Sequence, residues 1–150
     1  MTRTMSVIDR PVAARGERGA LPGTDALLRI LVAGILLTSV HYADNYLYFD
    51  EYPQPVSLTR TSVWAGWLLL TGFGIAGYLL HRKGHRAPAL VCLVVYSYTG
   101  TSSLGHYLYG SLSDFTVKQH VFIGMDGLAG LAVLAFVVWA LGQRRIQPPA

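Results

Sequence analysis

Four apolar stretches, each about as long as a lipid bilayer is thick, dictate what this chain can fold into. Arg29 to Tyr46 reads RILVAGILLTSVHYADNY and Thr61 to Leu80 reads TSVWAGWLLLTGFGIAGYLL. Ala87 to Tyr109 reads APALVCLVVYSYTGTSSLGHYLY, and Val117 to Leu141 reads VKQHVFIGMDGLAGLAVLAFVVWAL. A helix needs ~20 residues to cross a hydrocarbon core of about 30 Å. Within that core every backbone polar group must be satisfied inside the segment itself, which leaves helices as the solution for runs of this length. Composition agrees: 52% of residues are hydrophobic and 13% charged, against roughly 25% charged in soluble domains. The expected fold is therefore an all-α integral membrane protein, an up-down bundle of four transmembrane helices joined by short loops.

The net charge of +4 is explained by topology rather than by nucleic acid. Arg3, Arg10, Arg15 and Arg18 precede the first span, Arg82, Lys83 and Arg86 lie in the second loop, and Arg144 and Arg145 follow the last span. The remaining loops hold only Arg60 and Lys118, beside Asp50, Glu51 and Asp114. Positive residues stay on the cytoplasmic side, so both termini and the HRKGHR loop are expected inside, in a bacterial plasma membrane. The expected organisation is a disordered basic cytoplasmic tail over 1–24, a transmembrane domain over 25–142 and a short basic cytoplasmic tail over 143–150. The first 24 residues contain no apolar run of the kind a cleavable signal peptide requires. Partners are expected to be the lipid bilayer itself and a second copy or another membrane protein, with no nucleic acid. The single cysteine, Cys92, excludes an intrachain disulfide.

Local signals place the remaining elements. Thr24 is placed to cap the first helix, and Ser113 or Asp114 the fourth. Pro53 and Pro55 interrupt regular structure after the first span. Tyr46, Tyr48, Phe49 and Tyr52, with Trp64 and Trp67, read as an interfacial aromatic belt. The second span carries Gly66, Gly72, Gly74 and Gly77 and no interior ionisable residue, which marks it as scaffold that lets neighbouring helices approach. His81 and His85, the only HxxxH pair, read as a solvated, lipid-facing patch.

Ionisable residues inside the spans are the functional signal, because such groups are costly in a bilayer and mark sites by default. At ~1.5 Å per residue from the inner boundary, His41 lies about 18 Å up, and Asp44, Asn45, Ser102 and Asp126 about 22–24 Å. His106 and His120 lie near 30 Å on the same count. All fall in the outer third of the bundle. His41, Asp44 and Asn45 share one helix face by their i, i+3, i+4 spacing, and Thr99, Ser102, Ser103 and His106 form a stripe on the third span. On the fourth, Asp126 shares its stripe with Gln119 and Ile123, while His120 points elsewhere.

Imidazole and carboxylate together suit a divalent transition metal such as zinc, iron or copper. The leading expectation is a metal-binding membrane protein with His41, His106 and His120 as ligands, acting as an enzyme on a lipid or lipid-soluble substrate. Asp126 and Asp44 would then be base or histidine-orienting groups, and Ser102 the accompanying hydroxyl. The spacing Ser102-x-x-x-His106 resembles one element of the large seven-helix family of membrane hydrolases that includes alkaline ceramidases. The chain has four spans and no later histidine pair at matching positions, so that family's activity is not carried over. Two alternatives stand beside it. One is a b-type haem electron-transfer protein with two histidines, such as His106 and His120, as axial ligands. The other is a non-catalytic subunit or transporter component that uses His and Asp as a proton relay or as contacts between helices.

Overall fold

The computed structural model describes residues 19–143, and these contain no strand. Four helices follow one another: α1 (Thr24–Leu47), α2 (Arg60–Arg82), α3 (Arg86–Thr101) and α4 (Val117–Gly142). Each packs on its neighbours in sequence, and α1 closes the ring on α4. With the 3-10 segment Ser102–Leu108 that prolongs α3, all four are long and apolar enough to cross a membrane. Of the tails expected over 1–24 and 143–150, residues 1–18 and 144–150 lie outside the described residues.

The two ends of the bundle differ in what they bury. Leu27, Leu31, Leu90, Leu93, Tyr96, Val133, Phe136, Val137 and Ala140 form the hydrophobic core, displaced toward the end that carries HRKGHR, here the basic end. Toward the other end, here the site end, Tyr52, Val63, Phe115 and Ile123 are buried beside a larger set of polar residues: Thr38, His41, Asn45, Thr99, Ser103, Gln119 and Asp126. Large apolar side chains such as Leu36, Leu69, Val91, Leu128 and Val138 face outward from the ring, as a bilayer-facing surface requires.

Glycines set how closely the helices approach. A Cβ on Gly100 of α3 would strike the backbone carbonyl of Asp126 on α4, and one on Gly130 would come 2.6 Å from the carbonyl of Ser97. The two backbones therefore touch at the level of Asp126, a small-residue crossing of the kind membrane helices favour. Gly74 and Gly77 of α2 likewise seat Tyr96 and Leu93 of α3. At Gly66, nearer the site end, a Cβ would meet nothing within 4 Å. So α2 and α3 are pressed together toward the basic end and stand apart toward the site end.

Several local expectations are corrected. Gly23, not Thr24, caps α1: it takes φ +81°, a left-handed conformation that suits glycine, and a Cβ there would run into Trp139 at 2.6 Å. Thr24 instead bonds back to the carbonyl of Leu21 at 2.6 Å. Thr116, not Ser113 or Asp114, caps α4, in a reciprocal arrangement with Gln119. Ser111 and Asp114 close the short 3-10 turn Leu112–Asp114 instead. The third span is not α-helical to its end, because after Thr101 it tightens into the 3-10 form through Leu108. His81 is not solvated. It is 2% exposed, with Nε2 3.1 Å from the carbonyl of Pro22, which lies across the basic end; His85 is exposed as expected.

Candidate functional site

The α3–α4 crossing brings Asp126 to the bundle interior, where it is fully buried. A lone carboxylate there would be prohibitively costly, and its partners are specific. Oδ2 lies 2.7 Å from Nδ1 of His41 on α1 and 2.7 Å from the hydroxyl of Ser103. Both groups donate to it. His41 is only 2% exposed, and with Nδ1–H committed to the carboxylate its remaining ring nitrogen is Nε2, the lone-pair atom of that tautomer. That Nε2 is buried and has no hydrogen-bond partner, nor has Oδ1 of Asp126.

A second histidine is fixed by a different chain of bonds. Nδ1 of His106 lies 2.8 Å from the carbonyl of Pro53, which can only accept, so Nδ1 carries the proton and Nε2 is an acceptor. Nε2 in turn lies 3.2 Å from Nδ2 of Asn45. This leaves the Asn45 carbonyl oxygen pointing away, buried and without a partner. The rings of His41 and His106 have centroids 5.7 Å apart, and Tyr52 packs against both, at 5.6 and 5.3 Å. The Tyr52 hydroxyl donates to Asp44 at 2.7 Å. Burial, together with the Asp44 carboxylate, pushes this phenol well above its ordinary range, so it remains a donor.

Both histidines open onto one cavity of about 440 Å³, inside the size range usual for small-molecule sites. It occupies the gap where α2 and α3 stand apart, and reaches from Ser62 to Leu70 along α2, about 12 Å of helix. Tyr98, Ser102 and Gly105 form the opposite wall, and Pro55, Leu58, Leu108 and Tyr109 form the mouth. No lysine or arginine lines it.

The residues expected to act together are thus sorted. His41, His106 and Asp126 belong to one connected region. Ser102 lines the cavity, but its hydroxyl turns to the carbonyl of Thr99 at 3.4 Å, and Ser103 takes the contact with Asp126. Asp44 sits behind Tyr52 and pairs with Lys118 at 2.8 Å, rather than facing His41. His120 is elsewhere: Nδ1 meets the Tyr107 hydroxyl at 2.9 Å and Nε2 the carbonyl of Leu112 at 3.1 Å.

A metal shared by His41, His106 and His120 does not fit this arrangement. Among the described residues no three His, Cys, Asp or Glu side chains are placed to hold one. Axial ligation of haem by His106 and His120 fits no better, because all four of their ring nitrogens already have partners. What the arrangement can do is hold and move a proton. In such a use Nε2 of His41 would be the base, and Asp126 the group that fixes its tautomer and offsets the charge it gains.

Ser103, Asn45, Tyr52 and the Pro53 carbonyl complete the site. Asn45 and Ser103 were visible in the sequence as members of polar stripes, whereas nothing local distinguishes Tyr52 from the other interfacial aromatics. Comparison with protein-family models, with curated proteins and with solved structures gives no match, so the reading of this site rests on its own geometry.

Proposed function

We propose that this is an integral membrane protein whose site-end cavity binds a small lipid-soluble molecule, and that His41 accepts or returns a proton on it. In an enzyme this is general-base activation of a bound hydroxyl or water, while in a non-catalytic subunit it is one station of a proton relay. One observation carries the reading: a fully buried Asp126 bonded to Nδ1 of His41, whose Nε2 is left without a partner beside a cavity. Were the pair only a contact between helices, no open space would be needed next to it. The charge distribution favours a site facing away from the cytoplasm, with both termini inside.

Diethyl pyrocarbonate, which acylates an unprotonated and unbonded imidazole nitrogen, tests the reading without knowledge of the ligand. In detergent-purified protein, His41 should be modified, and Asp126→Asn should slow its modification by roughly 10-fold or more as the ring loses its fixed orientation. Modification of exposed His85 with none at His41 would sink the proposal. Orientation is tested separately by Ser57→Cys and Gly84→Cys. In intact cells an impermeant thiol reagent should label the first and not the second.

A further inference from the structure

Two buried polar atoms without partners, Nε2 of His41 and Oδ1 of Asn45, belong to residues that line the cavity, and this bears on what can occupy it. The Pro53 carbonyl fixes the tautomer of His106, His106 fixes the amide orientation of Asn45, and the Asn45 oxygen is thereby left as an acceptor. Asp126 fixes the tautomer of His41 and leaves its Nε2 as an acceptor too. Both residues line the cavity and are at least nineteen-twentieths buried, at 2% and 5% exposed. Two buried acceptors with no donor are costly until a ligand supplies hydrogens.

The rest of the lining is mostly apolar side chains and aromatic rings, with the hydroxyls of Ser62, Ser102 and Ser103 bonded to other protein groups and no cationic side chain. Of the nearest basic groups, Lys118 is paired with Asp44 and Arg60 with Asp50. An anionic headgroup would therefore face two lone pairs, and the Asp126 carboxylate behind them, with nothing to balance its charge. The cavity also runs down the side of the bundle between α2 and α3, beside exposed Tyr98, so its long axis lies within the apolar band of the helices.

We propose that the occupant is an amphiphile with one apolar chain and an uncharged hydroxyl headgroup, which enters between α2 and α3 and donates its hydrogen bonds to Nε2 of His41 and Oδ1 of Asn45. This rests on the proton-transfer reading and narrows it: the group that meets the His41 ring is the ligand hydroxyl, which donates a hydrogen bond to Nε2. Gly66 is the gate on the α2 side. Its missing side chain leaves open space where any larger residue would project into the chain's path.

The test is photo-crosslinking in lipid nanodiscs with a diazirine-bearing hexadecanol, the modified residues being mapped by mass spectrometry. Labels should fall within Ser62–Leu70 and Tyr98–Tyr109. Excess hexadecanol should suppress them by about 10-fold, whereas hexadecane, hexadecanoate and hexadecylammonium should change them by less than about 2-fold, the difference that one or two unpaired buried groups make. Gly66→Leu should abolish labelling while leaving helicity and the reaction of His85 with diethyl pyrocarbonate unchanged. Asn45→Leu should reduce the preference of the alcohol over the hydrocarbon, leaving only the part that His41 supplies. Equal or better competition by hexadecanoate or hexadecylammonium overturns the headgroup assignment, and absence of label from these segments overturns the cavity as the binding place. Neither outcome touches the reactivity of His41, which stands or falls on the acylation experiment.

Discussion

Each end of the bundle buries one histidine to the same degree, 2% exposed, yet the two are built differently. His81 at the basic end bonds a backbone carbonyl, that of Pro22, and stacks edge-on against Phe136 at 5.4 Å. The space beside it is about 160 Å³, walled by Leu21, Trp139 and the chain it pins. His41 at the site end bonds a carboxylate and fronts a cavity of about 440 Å³. A carbonyl partner fixes a ring without offering compensation for a charge, so His81 acts as a pin that holds residues 21–23 across the helix ends. A carboxylate partner fixes the ring and also compensates a proton when one arrives. Each ring keeps one buried nitrogen without a partner, so on the proposed reading it is the nature of the bonded partner, and not burial, that separates the two histidines.

The sharpest test of this contrast uses helix spacing. Gly100→Leu places a Cβ on the Asp126 carbonyl and 2.7 Å from the Gly130 nitrogen, where only backbone could give way. The loss should exceed about 3 kcal/mol and appear as failure to recover folded, monodisperse protein in detergent. Gly77→Ala, toward the basic end, meets the flexible Leu93 side chain at 3.0 Å and should cost about 1 kcal/mol. If the two variants unfold at similar temperatures, the α3–α4 crossing is not what positions Asp126.

The second test exchanges the histidines' partners. Asp126→Asn keeps shape and polarity, and since polar contacts between membrane helices are worth about 0.6–2 kcal/mol, the bundle should stay folded. The reactivity of His41 should nevertheless fall by roughly 10–100-fold, measured by its rate of acylation. His81→Phe should do the opposite. It should cost about 1 kcal/mol, quicken exchange of the Leu21 amide, which bonds the His81 carbonyl, and leave His41 untouched. Equal effects of both variants on His41 would erase the distinction between the two ends. His120→Ala belongs to the same series and should disturb only the loop around Tyr107 and Leu112.

How much of this was legible in the sequence follows from the range over which each signal acts. The four spans follow from composition summed over twenty residues, so they are robust to local error. The depth of Asp126 within an apolar helix, and its stripe with Gln119 and Ile123, also came through: all three are buried. What failed depended on a turn or a partner distant in the chain. Ser103 displaced Ser102 because the backbone tightens after Thr101 into three residues per turn, which rotates every later side chain away from its α-helical bearing. Asp44 shares a helix face with His41 but is not joined to it, because Tyr52 and Lys118, from two other segments, bind its carboxylate. His81 was hidden by Pro22, 59 positions away, and periodicity within one helix carries no trace of such a contact.

The smallest expected effect concerns a third kind of carboxylate, neither buried nor beside a cavity. Asp114 accepts from both the amide and the hydroxyl of Ser111, each at 2.8 Å. Those bonds hold its carboxyl below the ordinary value of 3.8. A depressed folded-state value means that its contribution is fully present above the unfolded value and is lost as pH falls through the folded one. The Ser111 amide should therefore stay protected from exchange at pH 4 and lose protection only at more acidic pH, while Asp114→Asn should expose it at every pH. Neither change should alter acylation of His41 or labelling of the cavity, because the turn at Leu112–Asp114 shares no bond with Asp126. A response at His41 to titration of Asp114 would mean that the site is coupled to its surface loops, and that the partner rule drawn from His41 and His81 misses an electrostatic contribution from outside the bundle.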